Sequence, residues 1–103
     1  MSEAAFQALA DPRRRAILRL VRDQPRSVNE IAGQFDISQQ AVSQHLKVLK
    51  DAGLVIVQPA GRRRIYRVDP DGLAALRADL ERFWGQALAN YKTVVEKPSK
   101  EKE

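Results

Sequence analysis

Apolar positions recur along this chain with two different periods, and the changes from one to the other mark its architecture. Behind Ser27 stand Val28, Ile31, Ala32 and Phe35, spaced i, i+3, i+4, i+7, so that one face of a short helix is apolar. Val42, Leu46 and Leu49 form a second stripe behind Ser38. Only the FDIS stretch, Phe35 to Ser38, separates the two segments, which is the connection length of a helix-turn-helix. At Gly53, well placed as a left-handed C-cap, the period changes. LVIVQ reads as a strand, Gln58-Pro59-Ala60-Gly61 as a type I turn, and RRRIYRV as a returning strand with Tyr66 and Val68 on one face. From Asp69 to about Val95 the helical period resumes through Leu73, Leu76, Leu80, Phe83, Ala87 and Tyr91, with Trp84 and Leu88 widening the stripe.

Four N-cap signals stand in front of these segments. Asp11-Pro12 and Asp69-Pro70 each set a capping carboxylate before a proline suited to the first helical position. Ser27 with Glu30 is a capping box, and Ser38 opens the second helix of the pair. The order predicted is short helix, helix, helix, turn, helix, hairpin, long helix. That is a mostly α fold with a two-stranded β wing, a winged helix-turn-helix. Residues 1–95 form the one expected domain, and the polar, proline-broken EKPSKEKE, 96–103, reads as a disordered tail.

Composition sharpens this picture at a few points. The chain has 103 residues, 44% hydrophobic and 30% charged, which fits a single globular domain. Its net charge of +5 is uneven: residues 1–68 carry twelve Lys/Arg against six Asp/Glu, and residues 69–103 carry six against seven. The positive field therefore belongs to the part that holds the helix pair and the hairpin, as expected of a polyanion binder. Zero cysteines exclude disulfides and thiolate metal sites, and His45, the single histidine, builds no transition-metal site alone. No run reaches the roughly 18 apolar residues of a membrane span, and the N-terminus lacks a signal-peptide pattern, so a cytoplasmic location is expected. With no cysteine nucleophile, no histidine–carboxylate spacing and no glycine-rich phosphate loop, an enzyme is not expected.

The candidate chemistry lies on the second helix of the pair. At about 100° per residue, Gln40, Ser43, Gln44 and Lys47 project away from the apolar stripe, with Gln39 at the edge of their sector. No carboxylate follows until Asp51. A glutamine amide offers the donor and acceptor that match adenine N6 and N7, and a serine hydroxyl adapts to either role. The plain alternative is the solvated face of any amphipathic helix. Arg62, Arg63 and Arg64 load the hairpin tip, where guanidinium suits phosphates or a narrow minor groove; the alternative there is a charged guard on an exposed strand edge. Arg13, Arg14 and Arg15 occupy the positive start of a helix, so ion pairs with Asp11 or Glu3, or a bound phosphate, are expected to offset them. Phe83, Trp84 and Tyr91 are read as packing a subunit interface, because the last helix is too long for one small domain to cover.

FQALADPRRRAIL, SVNEIAGQFDISQQAVSQHLKVLKDAGLV and GRRRIYRVDPDGL together resemble the ArsR-type winged-helix transcriptional regulators of bacteria and archaea. The resemblance covers residues 5 to 95, with AVSQHLKVLKDAGLV its specific part. It implies a homodimer built mainly by the first and last helices, through Phe6, Leu9, Leu76, Leu80, Phe83, Trp84, Ala87 and Tyr91. It also implies a repressor or autorepressor on inverted-repeat operators in double-stranded DNA. Gln39, Gln40, Ser43, Gln44 and Lys47 would face the major groove, and Arg62, Arg63 and Arg64 the backbone or minor groove. Metal-sensing members carry a cysteine pair in the helix before the turn, or Asp/His and His/Glu ligands in the last helix. This chain has neither, and Asp79 and Glu81 lack histidine companions. The resemblance therefore points to a metal-independent branch with no cofactor. A protein-interaction winged helix, or a repressor released by a small-molecule effector of unknown identity, are the alternative readings.

Overall fold

The computed structural model describes residues 3–102, with side chains described as far as Tyr91. Its elements are α1 (Glu3–Ala8), α2 (Pro12–Asp23), β1 (Arg26–Ser27), α3 (Val28–Phe35), α4 (Gln39–Asp51), β2 (Val55–Ala60), β3 (Arg63–Val68) and α5 (Pro70–Lys102). The order is the winged helix-turn-helix that the periodicity predicts.

Local chemistry sets the helix starts. Asp11 accepts from the Arg13 amide with Pro12 at the first helical position, and Ser38 accepts from the Ala41 amide. Around Ser27 the full capping box forms: the Glu30 amide donates to Ser27 Oγ, and Glu30 Oε1 accepts the Ser27 amide at 2.9 Å. Asp69 Oδ1 accepts the amides of Asp71 and Gly72 at the start of α5. These interactions satisfy donors that would otherwise be orphaned at each helix N-terminus.

The helix-turn-helix closes through Asp36, which sits in the left-handed region at φ 55. Aspartate is among the few non-glycine residues that visit this region readily. At the far end of α4, Gly53 has φ 79; its amide bonds the Lys50 carbonyl and the Leu54 amide bonds the Leu49 carbonyl. This pair of bonds is a Schellman motif, and Leu49 and Leu54, both fully buried, make its hydrophobic contact.

The core runs from Ile17 and Val21 of α2 through Ile31 and Ala32 of α3 to Val42, Leu46 and Leu49 of α4, closed by Leu54 and Val55. Val42, Leu46 and Leu49 are each 0% exposed. Burying each such side chain contributes roughly 1.5–3 kcal/mol, so the rotation of α4 about its own axis is strongly fixed.

Two features depart from the sequence expectation. The sheet has three strands rather than two, in the order β1-β3-β2, because the extended backbone of the Ser27 cap pairs with β3 (Ser27 opposite Ile65). The hairpin turn lies at Gly61-Arg62, not over 58–61: Pro59 and Ala60 continue β2 opposite Arg64 and Arg63. Pro59 is tolerated there because β2 is an edge strand. Gly61 at φ 64, followed by Arg62 outside the positive-φ region, is the pattern of a type II′ hairpin turn. The α5 backbone is helical to Lys102, with Glu103 outside the described residues.

Arg14 and Arg15 resolve the unfavourable charge at the start of α2 in a way the sequence did not signal. Arg14 Nε donates to the Ala8 carbonyl at 2.6 Å, and Arg15 Nη1 donates to Leu9 at 2.7 Å and Ala10 at 3.2 Å. The cations thus sit on the carbonyl end of α1, and the expected pair with Asp11 is the longer contact, 3.6 Å to Arg14.

Two outcomes follow. A Cβ at Gly72 would collide with the carbonyl of Gly53, whereas one at Gly33 would meet nothing. Helix propensity favours alanine over glycine by about 1 kcal/mol. Gly33→Ala should gain that amount, but Gly72→Ala should lose about 1–3 kcal/mol because backbone must move, both read by thermal or denaturant melts. The second outcome concerns acid. The Arg13 amide chiefly, with Arg14, holds the Asp11 carboxyl below the usual range, and the Ser27 amide chiefly, with its hydroxyl and Arg63, does the same for Glu30. A lowered folded pKa means stabilisation that is complete above the unfolded value and lost as pH falls through the folded one. The melting temperature should hold down to about pH 5 and fall below roughly pH 4, with a shallower fall in Glu30→Gln.

Candidate nucleic-acid interface

With Val42, Leu46 and Leu49 turned inward, the opposite sector of α4 faces solvent. Gln39, Gln40, Ser43, Gln44 and Lys47 are all exposed. No hydrogen bond among the described residues engages the side chains of Gln39, Gln40, Ser43 or Gln44. Lys47 is held by Asp51, Nζ to Oδ2 at 2.9 Å, one turn along the same face. The first turn of α4 therefore presents unengaged donors and acceptors, and its second half presents charge. His45 is half-buried between the two faces.

The three wing arginines border one shallow pocket of about 230 Å³ with Val28 and Asn29 of α3, yet their side chains find different surroundings. Arg62 lies in the exposed turn. Arg63 and Arg64 are neighbours on β3 and so point to opposite faces. Arg63 reaches α3: its Nη2 donates to Ser27 Oγ at 3.1 Å and lies 3.2 Å from Glu30 Oε1. Arg64 reaches α4, lining a groove of about 330 Å³ with Ser43, Lys47, Lys50, Asp51 and Tyr66. Helix face and wing thus meet at Arg64, while Arg63 is already engaged within the protein.

Lys50 and Tyr66 were missed as groove residues by the sequence reading. Lys50 stands three residues after Lys47 and Tyr66 two after Arg64, spacings that place each beside a singled-out residue. The Arg63 partners had no such signal, since Ser27 is 36 residues away.

A second surface is apolar. Phe6 of α1 with Leu80, Phe83 and Trp84 of α5 line a groove of about 300 Å³ without polar lining. Phe83 and Trp84 pack edge to face with ring centroids 5.6 Å apart, yet remain 62% and 52% exposed, and Leu88 and Tyr91 continue the exposed stripe. Contiguous exposed apolar area of this kind marks an interaction surface. Ala87 is half-buried on the same helix, while Leu9 and Leu76 are half-buried against the core and back this surface more than they form it. Among the described residues no three His, Cys, Asp or Glu side chains group as metal ligands, and no helix is long and apolar enough to cross a membrane.

Known proteins share this arrangement. The family model described as bacterial regulatory protein, arsR family, matches residues 11–57, from the α2 cap through α4 into β2. The HTH-type transcriptional regulator Rv2034 of Mycobacterium tuberculosis is 53% identical over 94 residues, covering 91% of this chain and 88% of that protein. The HTH-type transcriptional repressor SmtB of the same species is 41% identical over 74 residues, which are 72% of this chain and 55% of the repressor. Among solved structures, the homodimeric winged helix-turn-helix DNA-binding domain of Mb0332 from Mycobacterium bovis is 31% identical; it aligns with a TM-score of 0.66 over 84% of this chain and 81% of that one. These relatives are regulators and not enzymes, and the likeness extends over the helix pair, the wing and most of the chain. The chain belongs to the arsR family of bacterial regulatory proteins, the winged helix-turn-helix DNA-binding regulators of transcription.

Proposed function

We propose that this protein is a homodimeric repressor that reads an inverted-repeat operator in double-stranded DNA, without a metal cofactor. The observation that carries the reading is the face of α4. Three fully buried residues fix its rotation, and the amides of Gln39, Gln40 and Gln44 with the Ser43 hydroxyl stand outward with no partner among the described residues. A wide major groove supplies the complementary donors and acceptors.

Pairing through the apolar face of α1 and α5 supports the symmetry. It would cover Phe6, Leu80, Phe83 and Trp84, which stay exposed in a single chain, with Tyr91 extending the contact and Leu9, Leu76 and Ala87 beneath or beside it. The homodimeric relative from Mycobacterium bovis favours the same assembly. In such a dimer two copies of α4 enter successive major grooves about 34–36 Å apart, with Arg62 and Arg64 of each wing on the flanking backbone. Repression is supported by the repressor among the relatives and by geometry: a dimer covering two groove faces occludes the DNA beneath it.

Selection from a pool of random duplexes at two salt concentrations tests this reading, with the expected result a palindromic consensus whose half-sites lie one helical turn apart. An asymmetric consensus, or none, would count against it. On the selected site, Gln40→Ala or Gln44→Ala should relax preference at one base step by about 1–3 kcal/mol. Equal losses on selected and random DNA would mean that the amides read no base. Trp84→Glu should turn a dimer into a monomer in sedimentation.

A further inference from the structure

We propose, on the reading that this protein binds DNA, that its wing arginines divide two tasks. Arg63 is a positioning residue that ties the wing to the helix pair, and Arg64 with Lys50 forms the seat for a backbone phosphate.

The tether rests on shared atoms. Glu30 Oε1 accepts the Ser27 amide at 2.9 Å and also lies 3.2 Å from Arg63 Nη2, which in turn donates to Ser27 Oγ at 3.1 Å. Ser27 is 6% exposed and is at once the cap of α3 and a residue of β1, opposite Ile65 on β3. One carboxylate oxygen therefore joins a helix start, a strand pairing and the wing. An isolated exposed ion pair contributes little. This one differs because its acceptor is already oriented by the cap and its hydroxyl partner is buried. An Arg63 that left for a phosphate would give up both partners, and Glu30 would stand as an unpaired carboxylate close to the DNA.

The seat rests on complementary facts. Arg64 and Lys50 have no partner among the described residues, both border the groove between α4 and the wing, and Tyr66 closes its side. Lys47 borders it too but is paired with Asp51. A phosphodiester is the anion that runs past this groove when α4 lies in the major groove, and two free cations suit it.

Hydrogen exchange in the free protein tests the tether without DNA. Arg63→Ala and Glu30→Gln should each raise exchange several-fold across Arg63–Val68, while Arg64→Ala should not; glutamine at this position keeps a capping partner, so α3 survives. Binding of a random-sequence duplex across a salt series tests the seat. Arg64→Ala and Lys50→Ala should each lower the log–log salt slope by about 0.9 per protomer. Arg63→Ala and Glu30→Gln should weaken binding at every salt concentration and leave the slope unchanged. Unaltered exchange in Arg63→Ala overturns the tether. A slope loss in Arg63→Ala equal to that of Arg64→Ala, or tighter binding by Glu30→Gln, overturns the division, since either means that Arg63 itself reaches phosphate. A wild-type chain that grips no duplex at low salt overturns the DNA reading and the phosphate seat, while the tether still stands or falls on exchange.

Discussion

The insertion of Val42, Leu46 and Leu49 into the core is the constraint on which the rest depends. A helix has one rotational freedom about its axis, and three buried positions on one stripe remove it. Everything that α4 can offer a partner is then decided by what occupies the remaining sector. In this chain that sector holds amides, a hydroxyl and lysine, and its single carboxylate, Asp51, comes at the last residue and is spent on Lys47. The same burial explains why the Ser38 cap matters, since a frayed first turn would blur the positions of Gln39 and Gln40 however well the core was packed.

Electrostatics is organised by the fold more finely than net charge implies. The basic first two thirds of the chain contain cations with three different fates. Arg14 and Arg15 answer the carbonyl end of α1, Arg63 answers the capping box of α3, and Arg62, Arg64 and Lys50 have no partner among the described residues. Of these three groups, the last is the one that lacks a partner of its own. Counting charges along the chain would assign all of them to it.

What was legible in the sequence is what is encoded within about four residues. The caps at Asp11, Ser27, Ser38 and Asp69, the turn after Phe35 and the C-cap at Gly53 all follow from local hydrogen bonding and backbone preference, and all are present. The winged helix-turn-helix order followed from them. The hairpin turn was misplaced because Pro59 and Gly61 both carry turn signals, and only the pairing of Pro59 with Arg64 decides between them. β1 and the Arg63 partners were invisible because they join residues far apart in sequence, through a backbone extended only by virtue of its cap. The exposed face of α5 was foreseen from its length and stripe. How much of that stripe the chain covers for itself, as at Leu76, was not.

The approach of Gly72 to the Gly53 carbonyl brings the first turn of α5 onto the chain just past the end of α4, with main chain against main chain. No deformable side chain lies between them to absorb a shift. The heading of the long helix at its start is consequently set against the main chain that ends α4, not against side chains that could repack.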